Sequence, residues 1–467
     1  MMSRWKPVII PPWSLSDLEE ILNDAVRVLG KIGVECTHQR VRQHLARWKG
    51  VSWDERRVYF SEDLVRAHLE NRRSSLRQQT EKEQTQFRLG GCWAGLNYCD
   101  PETQQVRPAS SAEAAQMARL WDSRGLDGVI PVMPGDVPPA LATLTAERIA
   151  LENSRFLGGS LTVTDPEEVR YLIDMFAAAE RRYRLVEQVG ISPLKLDPQG
   201  LATALCFVEN PDVEVVLTGF IPMAGTTCPL DPRSALIQSV AETLALDMVC
   251  SALGISGSGL SIRVEPFDFQ YSFIVFGSPE WCLYRALVIQ TNEFLTGQPA
   301  RYGMFRSVAK KPDSQAACER TASVLWQALL GARVFGGVGQ LSVDEVFSPQ
   351  QAVLDREILA YVKRTVEGLD LSAEVDPLTL IEEGVREGNF VGVPDTVSRF
   401  RKFYWFPEIF RHWNLGRWQA EGQPSILDEA WAQARQEIAS STFQLKESQR
   451  AEIERIYQKA ASYIQNR

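Results

Sequence analysis

Histidine is scarce in this sequence, which has only four histidines, at positions 38, 44, 68 and 412, among 467 residues. Three of them fall in the first 70 residues, in segments whose pattern predicts surface helices. Histidine is the commonest metal ligand and the usual general base of a catalytic triad. The scarcity therefore argues against a histidine-rich metal site and against a Ser-His-Asp triad.

Paired cysteines are also missing. Eight cysteines are scattered along the chain without a Cys-x-x-Cys pair, which is typical of reduced, mostly buried thiols in a cytoplasmic protein. The first residues, MMSRWKPVIIPPWS, contain no apolar stretch of signal-peptide length. No uninterrupted apolar run reaches membrane-spanning length. We therefore expect a cytoplasmic protein that does not span a membrane.

An excess of basic residues is absent as well, since 50 lysines and arginines stand against 59 aspartates and glutamates. The net charge of −9 argues against nucleic acids and anionic membranes as partners. The phosphate-binding motif Gly-x-x-x-x-Gly-Lys-Ser/Thr does not occur. The glycine-rich stretches GISGSGL (254–260) and FGGVGQ (335–340) lack the sequence context that a dinucleotide site requires.

From about residue 89 onward, the chain alternates regularly between two patterns. Short runs rich in valine and glycine lie near 89–98, 128–133, 157–163, 185–191, 213–221, 255–262, 299–305 and 332–338. Helical patterns follow them at 111–123, 140–152, 166–180, 197–208, 232–252, 279–295, 313–330 and 349–366. This alternation predicts an α/β fold, a (β/α)8 TIM barrel, and a doubly wound open sheet is the alternative.

The barrel is predicted to carry additions at both ends. Residues 1–86 are interpreted as a mainly helical N-terminal cap, 87–370 as the barrel and catalytic domain, and 371–467 as a C-terminal helical extension. The aromatic cluster at 400–413 in this extension is expected to pack on the barrel rather than to bind a ligand.

The loops after the predicted strands are the candidate site, because active sites of such barrels lie at the carboxyl ends of the strands. Aromatic rings in these loops are able to cage a quaternary ammonium ion; the candidates are Trp93, Tyr98, Phe220, Phe267, Phe269, Tyr271, Tyr302 and Phe305. Arg263, Arg301 and Arg306 are candidates for holding a carboxylate. Core packing is the alternative for each aromatic residue. Asp268 and Asp355 are candidate acid/base groups, with a helix cap or a solvated charge as the alternative.

The loop IPMAGTTCP (221–229) stands apart because it contains few bulky side chains. A strand pattern precedes it and a helix pattern follows it. Glycine and other small residues let a ligand approach the backbone closely. The composition of this loop therefore predicts that a wide, flat ligand lies over it.

The same loop continues into a helix as IPMAGTTCPLDPRSALIQSVAETLA (221–245). Further along stand GSPEWCLYRALVIQ (277–290) and FSPQQAVLDREIL (347–359), and CDPETQQVRPAS (99–110) precedes them. In this order the stretches resemble the trimethylamine methyltransferase superfamily, which includes glycine betaine methyltransferases and has a Pro-Met-x-Gly-x-Thr-x-Pro loop. The resemblance spans nearly the whole chain.

The resemblance implies a (β/α)8 enzyme that moves a methyl group from a methylated amine to the cob(I)alamin of a small, separate corrinoid-binding protein. The corrinoid would dock on the barrel mouth, against Pro222, Met223, Gly225, Thr226 and Thr227. A Co(I) nucleophile mainly requires that the methyl donor be positioned and desolvated. A site without bound metal ligands fits this chemistry. The family also suggests a homo-oligomer.

Two departures from the family pattern bear on the substrate. Trimethylamine enzymes of this family carry pyrrolysine in the seventh-strand loop, whereas this chain has standard residues there and Arg306 occupies the approximate place. This departure implies a quaternary amine such as a betaine, which needs no covalent activation. The family's His-Pro-His-Thr loop is VPDT here, with Val393 and Asp395 at the two histidine positions.

The resulting expectation is a methyltransferase for a betaine-like quaternary amine. The amine would contact Trp93, Tyr98, Phe220, Phe269, Tyr271 and Tyr302. Arg306 would hold the carboxylate, with Asp268 and Asp355 as further catalytic polar groups. The altered VPDT loop favours an alternative, a barrel that binds a methylated amine or a corrinoid without methyl transfer. A Schiff-base lyase is least expected, because Lys310 and Lys311 lie well past the seventh strand.

Overall fold

The computed structural model describes residues 13–78, 86–159, 161, 163, 165–257, 259–299, 301–369 and 376–466. These residues form a mixed α/β fold. Its helices are α1 (Leu15–Lys31), α2 (Gln39–Leu45), α3 (Glu62–Gln78), α4 (Ser111–Arg124), α5 (Ala142–Asn153), α6 (Pro166–Ala178), α7 (Pro198–Phe207), α8 (Pro232–Leu253), α9 (Pro279–Thr296), α10 (Ser314–Leu329), α11 (Pro349–Glu367), α12 (Pro377–Glu387), α13 (Pro394–Phe403), α14 (Leu415–Ala420), α15 (Ile426–Ser440) and α16 (Glu447–Gln465).

The strands are short, apart from two near the middle of the chain. They are β1 (Val34–Glu35), β2 (Val51–Trp53), β3 (Arg57–Phe60), β4 (Arg88–Leu89), β5 (Asn97–Cys99), β6 (Val106–Arg107), β7 (Tyr183–Ile191), β8 (Lys195–Leu196), β9 (Val213–Gly219), β10 (Ser256–Gly257), β11 (Phe267–Asp268), β12 (Phe273–Ile274), β13 (Tyr302–Met304), β14 (Val334–Gly336), β15 (Gln340–Leu341) and β16 (Val346–Phe347).

Helices α4 to α11 confirm the eight predicted helical patterns, and their ends agree to within two residues. Their starts follow from local chemistry. In α6, α7 and α8 a proline occupies the first helical position, directly after an aspartate whose side chain accepts a hydrogen bond from a backbone N–H. The fixed φ of proline suits this position, and the aspartate satisfies an N–H that has no partner within the helix.

Parallel strand pairing is most extensive between β7 and β9, from Tyr183 opposite Val213 onward, and β10 extends it on the far side of β9. Shorter parallel pairs join β4 to β14, β14 to β13, and β5 to β16. The parallel α/β class predicted from the alternation is therefore confirmed. The closed barrel stays a prediction, because the described strands form several separate ladders.

The N-terminal segment is joined to the central sheet. Strand β1 pairs with β3 and with β8, and β8 pairs with β7, so that the sheet order is β10-β9-β7-β8-β1-β3-β2. Helices α1 and α2 pack on α8 within one continuous hydrophobic core. One expectation here was wrong: His68 is buried, and its Nε2 lies 2.7 Å from Oδ2 of Asp247 on α8. The predicted boundary at residue 86 stays a prediction.

Helix α8 lies in the centre of this core. It is the one helix of the described chain that is long and apolar enough to cross a membrane by length and composition. In the fold, 61% of its apolar 18-residue window is buried by neighbouring elements. All eight cysteines are free thiols, and five of them are buried, as the sequence predicted for most of them.

The C-terminal helices divide into two groups. Helix α15 packs on α4 and α11, and α16 packs on α5 and α6. Helices α12, α13 and α14 make no extensive contact with other helices or strands of the described chain. The cluster at 400–413 therefore packs on the body only in part: Ile409 is buried, whereas Tyr404 and Phe406 are exposed.

Candidate active site

The loops that follow β9, β10, β13 and β14 lie at the carboxyl ends of these strands, and we call this surface the mouth. A parallel bridge between Met223 and Glu265 ties the loop after β9 to the segment after β10. The Ala224 N–H donates to the Glu265 carbonyl at 2.9 Å, and the Glu265 N–H donates to the Pro222 carbonyl at 3.0 Å. The Thr227 hydroxyl accepts from the Met223 N–H at 2.8 Å. The backbone thus fixes Glu265 beside the small-residue loop.

Arg306, which follows β13, is a buried cation of the mouth, with 5% of its surface exposed. Its guanidinium carbon lies 4.1 Å from the centre of the Phe276 ring and 4.9 Å from the centre of the Trp93 ring. A planar guanidinium is stabilised by such aromatic faces. The neighbouring Gly277 has a φ of +77°, and a Cβ there would lie 2.6 Å from the Arg306 carbonyl oxygen. Glycine therefore permits this close packing.

Charges of both signs are buried around Arg306. Burial lowers the pKa of Arg306 to about 10, and the nearby carboxylates of Glu265 and Asp344 oppose this shift. Burial also raises the pKa of Glu265, while Arg285, Arg306 and Arg263 act to lower it. No ion pair within 4.0 Å joins Glu265 to these arginines, all of which belong to the described chain. The carboxyl group is held near cations without being neutralised by contact.

Several buried polar atoms in this cluster make no hydrogen bond. They are Nε and Nη1 of Arg306 and Nε of Arg285. A buried polar group without a partner costs about 1–3 kcal/mol. Such groups at the carboxyl ends of parallel strands mark a place where a polar ligand supplies the missing partners. The free N–H groups of Arg306 suit a carboxylate.

A second buried arginine lies under the loop after β14. Nε of Arg320 donates to Oδ1 of Asp355 at 2.6 Å, and Nη2 donates to the other carboxylate oxygen. The guanidinium also donates to the carbonyls of Gly337 and Gln340, and the Gly339 N–H donates to Asp355 at 2.7 Å. Both charged side chains are fully buried. Asp355 therefore holds this loop in place, and a substrate would reach it only if the network opened.

The hairpin β11–β12 stands over the mouth and carries Phe267 together with three further predicted residues, Asp268, Phe269 and Tyr271. Oδ1 of Asp268 accepts from the backbone N–H groups of Gln270 at 2.6 Å and Tyr271 at 3.1 Å, so Asp268 caps the hairpin turn. Tyr271 is 74% exposed at the tip. The Phe269 ring lies against Gly225 in the small-residue loop. These three residues do not contact Arg306 in any hydrogen bond or ring contact of the described chain.

The residues of the small-residue loop differ in exposure. Gly225 and Thr226 are exposed, Met223 and Thr227 are half-buried, and Pro222 is buried. The flat ligand expected over this loop stays a prediction.

The remaining aromatic candidates lie apart from one another. Tyr98 is buried in β5, where the Arg107 guanidinium carbon lies 5.6 Å from its ring centre. Phe220 lines a small cavity of about 40 Å³ at the ends of β7 and β9. Tyr302 begins β13 and Arg306 lies four positions further along the chain, which corresponds to about 13 Å in an extended conformation. Tyr302 lines a different cavity, of about 1020 Å³, between the strand starts and α11.

Around Arg306 the structure brings together two of the predicted residues, Trp93 and Arg306 itself. Three others, Phe220, Pro222 and Arg263, line the small cavity at the ends of β7 and β9. In the hairpin, the ring centres of Phe267 and Phe269 lie 5.4 Å apart. Sequence reasoning missed Glu265, Phe276 and Arg285. Two signals were available: Glu265 lies three positions past the predicted sixth strand region, 255–262, and Phe276 and Arg285 flank the GSPEW stretch at the start of α9. Among the described residues, no group of three or more His, Cys, Asp or Glu is arranged to hold a metal ion.

Comparison with known proteins gives a family match. The model of the trimethylamine methyltransferase (MTTB) family matches residues 8–459. Trimethylamine methyltransferase MttB of Methanosarcina thermophila is 30% identical over 206 residues, which cover 44% of this chain and 42% of that protein. MttB of Desulfitobacterium hafniense is 24% identical over 326 residues, which cover 66% of this chain and 63% of that protein. The chain therefore spans less than two thirds of the length of either relative.

Proposed function

The chain belongs to the trimethylamine methyltransferase family, and from this premise we propose that it moves a methyl group from a betaine-like quaternary amine to a corrinoid. The acceptor in this proposal is the cob(I)alamin of a small, separate corrinoid-binding protein. The relatives named above are trimethylamine methyltransferases. The proposed donor differs from trimethylamine in carrying both a quaternary ammonium group and a carboxylate.

The observation that carries this proposal is that Arg306 is buried with unsatisfied hydrogen-bond donors. Its guanidinium is buried between Trp93 and Phe276, and two of its nitrogens have no hydrogen-bond partner. Trimethylamine has no anionic group to offer these donors, whereas a betaine has a carboxylate. A carboxylate that accepts from a buried arginine forms a strong, charge-assisted hydrogen bond. The site therefore favours a zwitterionic substrate over a simple amine.

The neighbouring residues suit the other end of such a substrate. With its carboxylate on Arg306, the quaternary ammonium would lie within reach of aromatic faces and of the Glu265 carboxyl group. Burial of these groups excludes water from the donor, which favours transfer of a methyl group. The donor leaves as a neutral tertiary amine, so the transfer itself requires no acid. A mouth without a histidine fits this requirement.

The corrinoid, when bound, would supply the nucleophilic Co(I) atom that receives the methyl group. The residues that would lie beneath it are Pro222, Met223, Gly225, Thr226 and Thr227. Support comes from the small side chains of this loop and from the exposure of Gly225 and Thr226. The loop is tied by its backbone to Glu265, so that the proposed acceptor surface adjoins the proposed donor site.

We propose further that the strands close into a (β/α)8 barrel and that the protein is cytoplasmic. Single parallel bridges join Gly95 to Val132 and Gly128 to Leu157, which supports continuity between the separate ladders. The eight confirmed helices in α4 to α11 support the same architecture. Eight free cysteines support a reducing compartment.

The proposal is tested with purified protein, cob(I)alamin and paired methyl donors under anaerobic conditions. Glycine betaine and carnitine carry a carboxylate, choline carries a hydroxyl in its place, and trimethylamine carries neither. Loss of the Co(I) absorbance reports methyl transfer, and thermal shift reports binding. We expect transfer from a carboxylated donor and little from choline or trimethylamine.

Arg306→Met is the matching variant, and Lys310→Met, which removes an exposed cation from the same loop, is its control. We expect only Arg306→Met to abolish the preference for carboxylated donors. Transfer from trimethylamine alone would overturn the substrate assignment. Binding of a betaine without transfer, also in the presence of a corrinoid protein, would instead establish the alternative of a binding protein without methyl transfer.

A further inference from the structure

A cavity of about 1020 Å³ lies away from the mouth. Its lining includes Arg88, Tyr302 and Val334, which are the first residues of β4, β13 and β14. Arg306 and the rings that pack on it are not among its described lining residues. The cavity therefore reaches the amino ends of these parallel strands, whereas the mouth lies at their carboxyl ends. Small-molecule sites enclose about 300–1000 Å³, so this cavity has room for a ligand.

One face of α11 forms a wall of this cavity. Arg356, Leu359 and Lys363 line it, at spacings of three and four residues that place them on the same side of the helix. Arg124 on α4 and Glu437 on α15 line the cavity as well. Helices α4 and α11 thus bring basic side chains to one cavity, in a chain whose net charge is −9.

Two of these basic side chains share one carboxylate. Oε2 of Glu437 accepts from Nε of Arg124 at 2.6 Å, and Oε1 accepts from Nη1 of Arg356 at 2.8 Å. Arg356 has a further partner in Glu408, which accepts from its Nη2 at 2.7 Å. Among the described residues Arg124 forms an ion pair with Glu437 alone. The charge of Arg124 is therefore the less compensated of the two.

Arg124 also has an unused hydrogen-bond donor. Its side chain is only 8% exposed. Nη1 donates to the Ala352 carbonyl at 2.9 Å, whereas Nη2 has no hydrogen-bond partner in the described part of the chain. Burial lowers the pKa of Arg124, Arg356 adds to this shift, and Glu437 opposes it. An anion in the cavity would supply both a partner for Nη2 and a compensating charge.

Aromatic and aliphatic side chains line the same cavity. Tyr302 and Phe156 are 68% and 40% exposed, so their rings are accessible. Leu89 and Leu359 add aliphatic surface. Flat rings and aliphatic groups bind the apolar body of a ligand, and a small number of polar groups fix its orientation. The lining therefore suits a ligand that carries an apolar ring and an acidic group.

We propose that this cavity binds an aromatic organic anion, whose acidic group accepts from Arg124 and whose ring packs against Tyr302 and Phe156. A carboxylate and a phosphate share the chemistry that a guanidinium recognises, because both present oxygens that accept from two N–H groups. A betaine such as glycine betaine has no aromatic ring, so this ligand class differs from the proposed methyl donor. The inference does not depend on the proposed methyl transfer.

The test is calorimetric titration of the full chain with probes that separate the two halves of such a ligand. The acids 2-naphthoate and 1-naphthyl phosphate carry a ring and an anion, whereas 2-naphthol carries the ring alone and acetate the anion alone. We expect at least one of the acids to bind, and naphthol and acetate to bind about tenfold more weakly or worse. The tighter acid identifies the acidic group. Excess glycine betaine should not displace it, because the mouth is a separate site.

Variants assign the bound acid to the cavity. Arg124→Met should raise its dissociation constant about tenfold or more. Tyr302→Ala, which removes an exposed ring, should raise it about threefold and decides the test if circular dichroism shows Arg124→Met to be unfolded. Arg306→Met removes a buried arginine from the mouth and is the matched control, which should bind the acid like wild type. Absence of acid binding, naphthol binding as tight as acid binding, displacement by glycine betaine, or wild-type affinity in the folded cavity variants would overturn the proposal.

Discussion

Two buried arginines lie on neighbouring elements of the same mouth and differ in one respect. Arg320 donates to both carboxylate oxygens of Asp355 and to two backbone carbonyls. Arg306, which is equally enclosed, has two nitrogens without any partner. Each packs on an aromatic ring, Phe305 for Arg320 and Phe276 for Arg306. The difference teaches that burial alone does not identify a site, and that unpartnered donors on a buried charge indicate one only where a second feature of the fold does so too, as at Arg306, where they lie at the carboxyl ends of parallel strands.

The energetic reason is the cost of an uncompensated charge. A buried ion pair that is fully hydrogen-bonded roughly balances its desolvation, and removing one partner exposes the full cost of the other. The Arg320 cluster is therefore sensitive to any truncation. In the unliganded protein the unpartnered nitrogens of Arg306 already carry this cost. A ligand that supplies their hydrogen-bond partners therefore gains binding energy.

The largest expected effect is a loss of folding stability when the Arg320–Asp355 pair is broken. Asp355→Ala leaves Arg320 buried and unpaired, and we expect it to lower the free energy of unfolding by about 3–5 kcal/mol. Asp268→Ala, which removes a carboxylate from the exposed hairpin turn, is the matched control, with an expected loss within about 1 kcal/mol. Urea denaturation measures both. An Asp355→Ala protein of wild-type stability that had lost only turnover would instead point to the catalytic role predicted from the sequence.

The second-largest expected effect is on ligand affinity and comes from removing the unsatisfied arginine, Arg306. Arg306→Met removes a buried charge that lacks partners, so we expect stability to change by no more than about 1 kcal/mol, or to rise. Affinity for a carboxylated amine should fall by about 10- to 100-fold, which corresponds to one charged hydrogen-bonded contact. Calorimetric titration measures it.

Arg306→Lys serves as the conservative variant in the same titration. It keeps the charge but lacks the planar fork that matches a carboxylate, so we expect it to restore only part of the affinity. Equal binding by all three proteins would remove Arg306 from the site.

The sequence contained enough information for the helices but not for the assembled site. Asp-Pro at 165–166, 197–198 and 231–232 fixed helix starts by local chemistry, so these boundaries were predicted closely. Trp93 and Arg306 were selected because they lie in loops assigned to the carboxyl ends of the predicted strands. The structure places them together because Phe276 and Gly277 pack against Arg306 from a third segment, and no local pattern specifies that contact.

Tyr302 and Tyr98 were assigned to the wrong place in the fold, because the sequence pattern did not fix where the short strands begin and end. Tyr302 was assigned to the seventh-strand loop, but it is the first residue of β13 and therefore lies at the end of this strand that is opposite to the mouth. Tyr98 lies in a short hairpin that the pattern did not resolve from the first strand. A shift of three or four residues along a strand moves a side chain from one end of the sheet to the other. Site prediction from one sequence is limited by this sensitivity.

A third buried ionisable side chain, to which we assign no ligand, extends the comparison between satisfied and unsatisfied groups. Glu187 on β7 is 1% exposed, and its Oε1 has no partner. Burial, together with the nearby carboxylate of Asp197, raises its pKa to about 8. Between its unfolded value near 4.5 and about 8, the native state binds more protons than the unfolded state, so Glu187 costs stability increasingly as pH rises.

Glu187→Gln should remove this pH-dependent cost. We expect the variant to gain stability relative to wild type between pH 5 and pH 8, by on the order of 2 kcal/mol. Urea denaturation at several pH values measures the difference between the two proteins, which cancels the titration of all other groups. A difference that does not change with pH would mean that Glu187 is ionised at neutral pH in the native state.

The smallest effect concerns the packing that places Arg306. Gly277→Ala introduces a Cβ at a φ of +77°, 2.6 Å from the Arg306 carbonyl, whereas Gly254→Ala introduces one at +68° with nothing within 4 Å. Both variants carry similar backbone strain, which we expect to cost about 1 kcal/mol each. Only Gly277→Ala has to displace the Arg306 backbone, so only it should also weaken binding of a carboxylated amine, by several-fold. If both variants bind equally well, the position of Arg306 does not depend on this contact, and its two unpartnered nitrogens alone define the site.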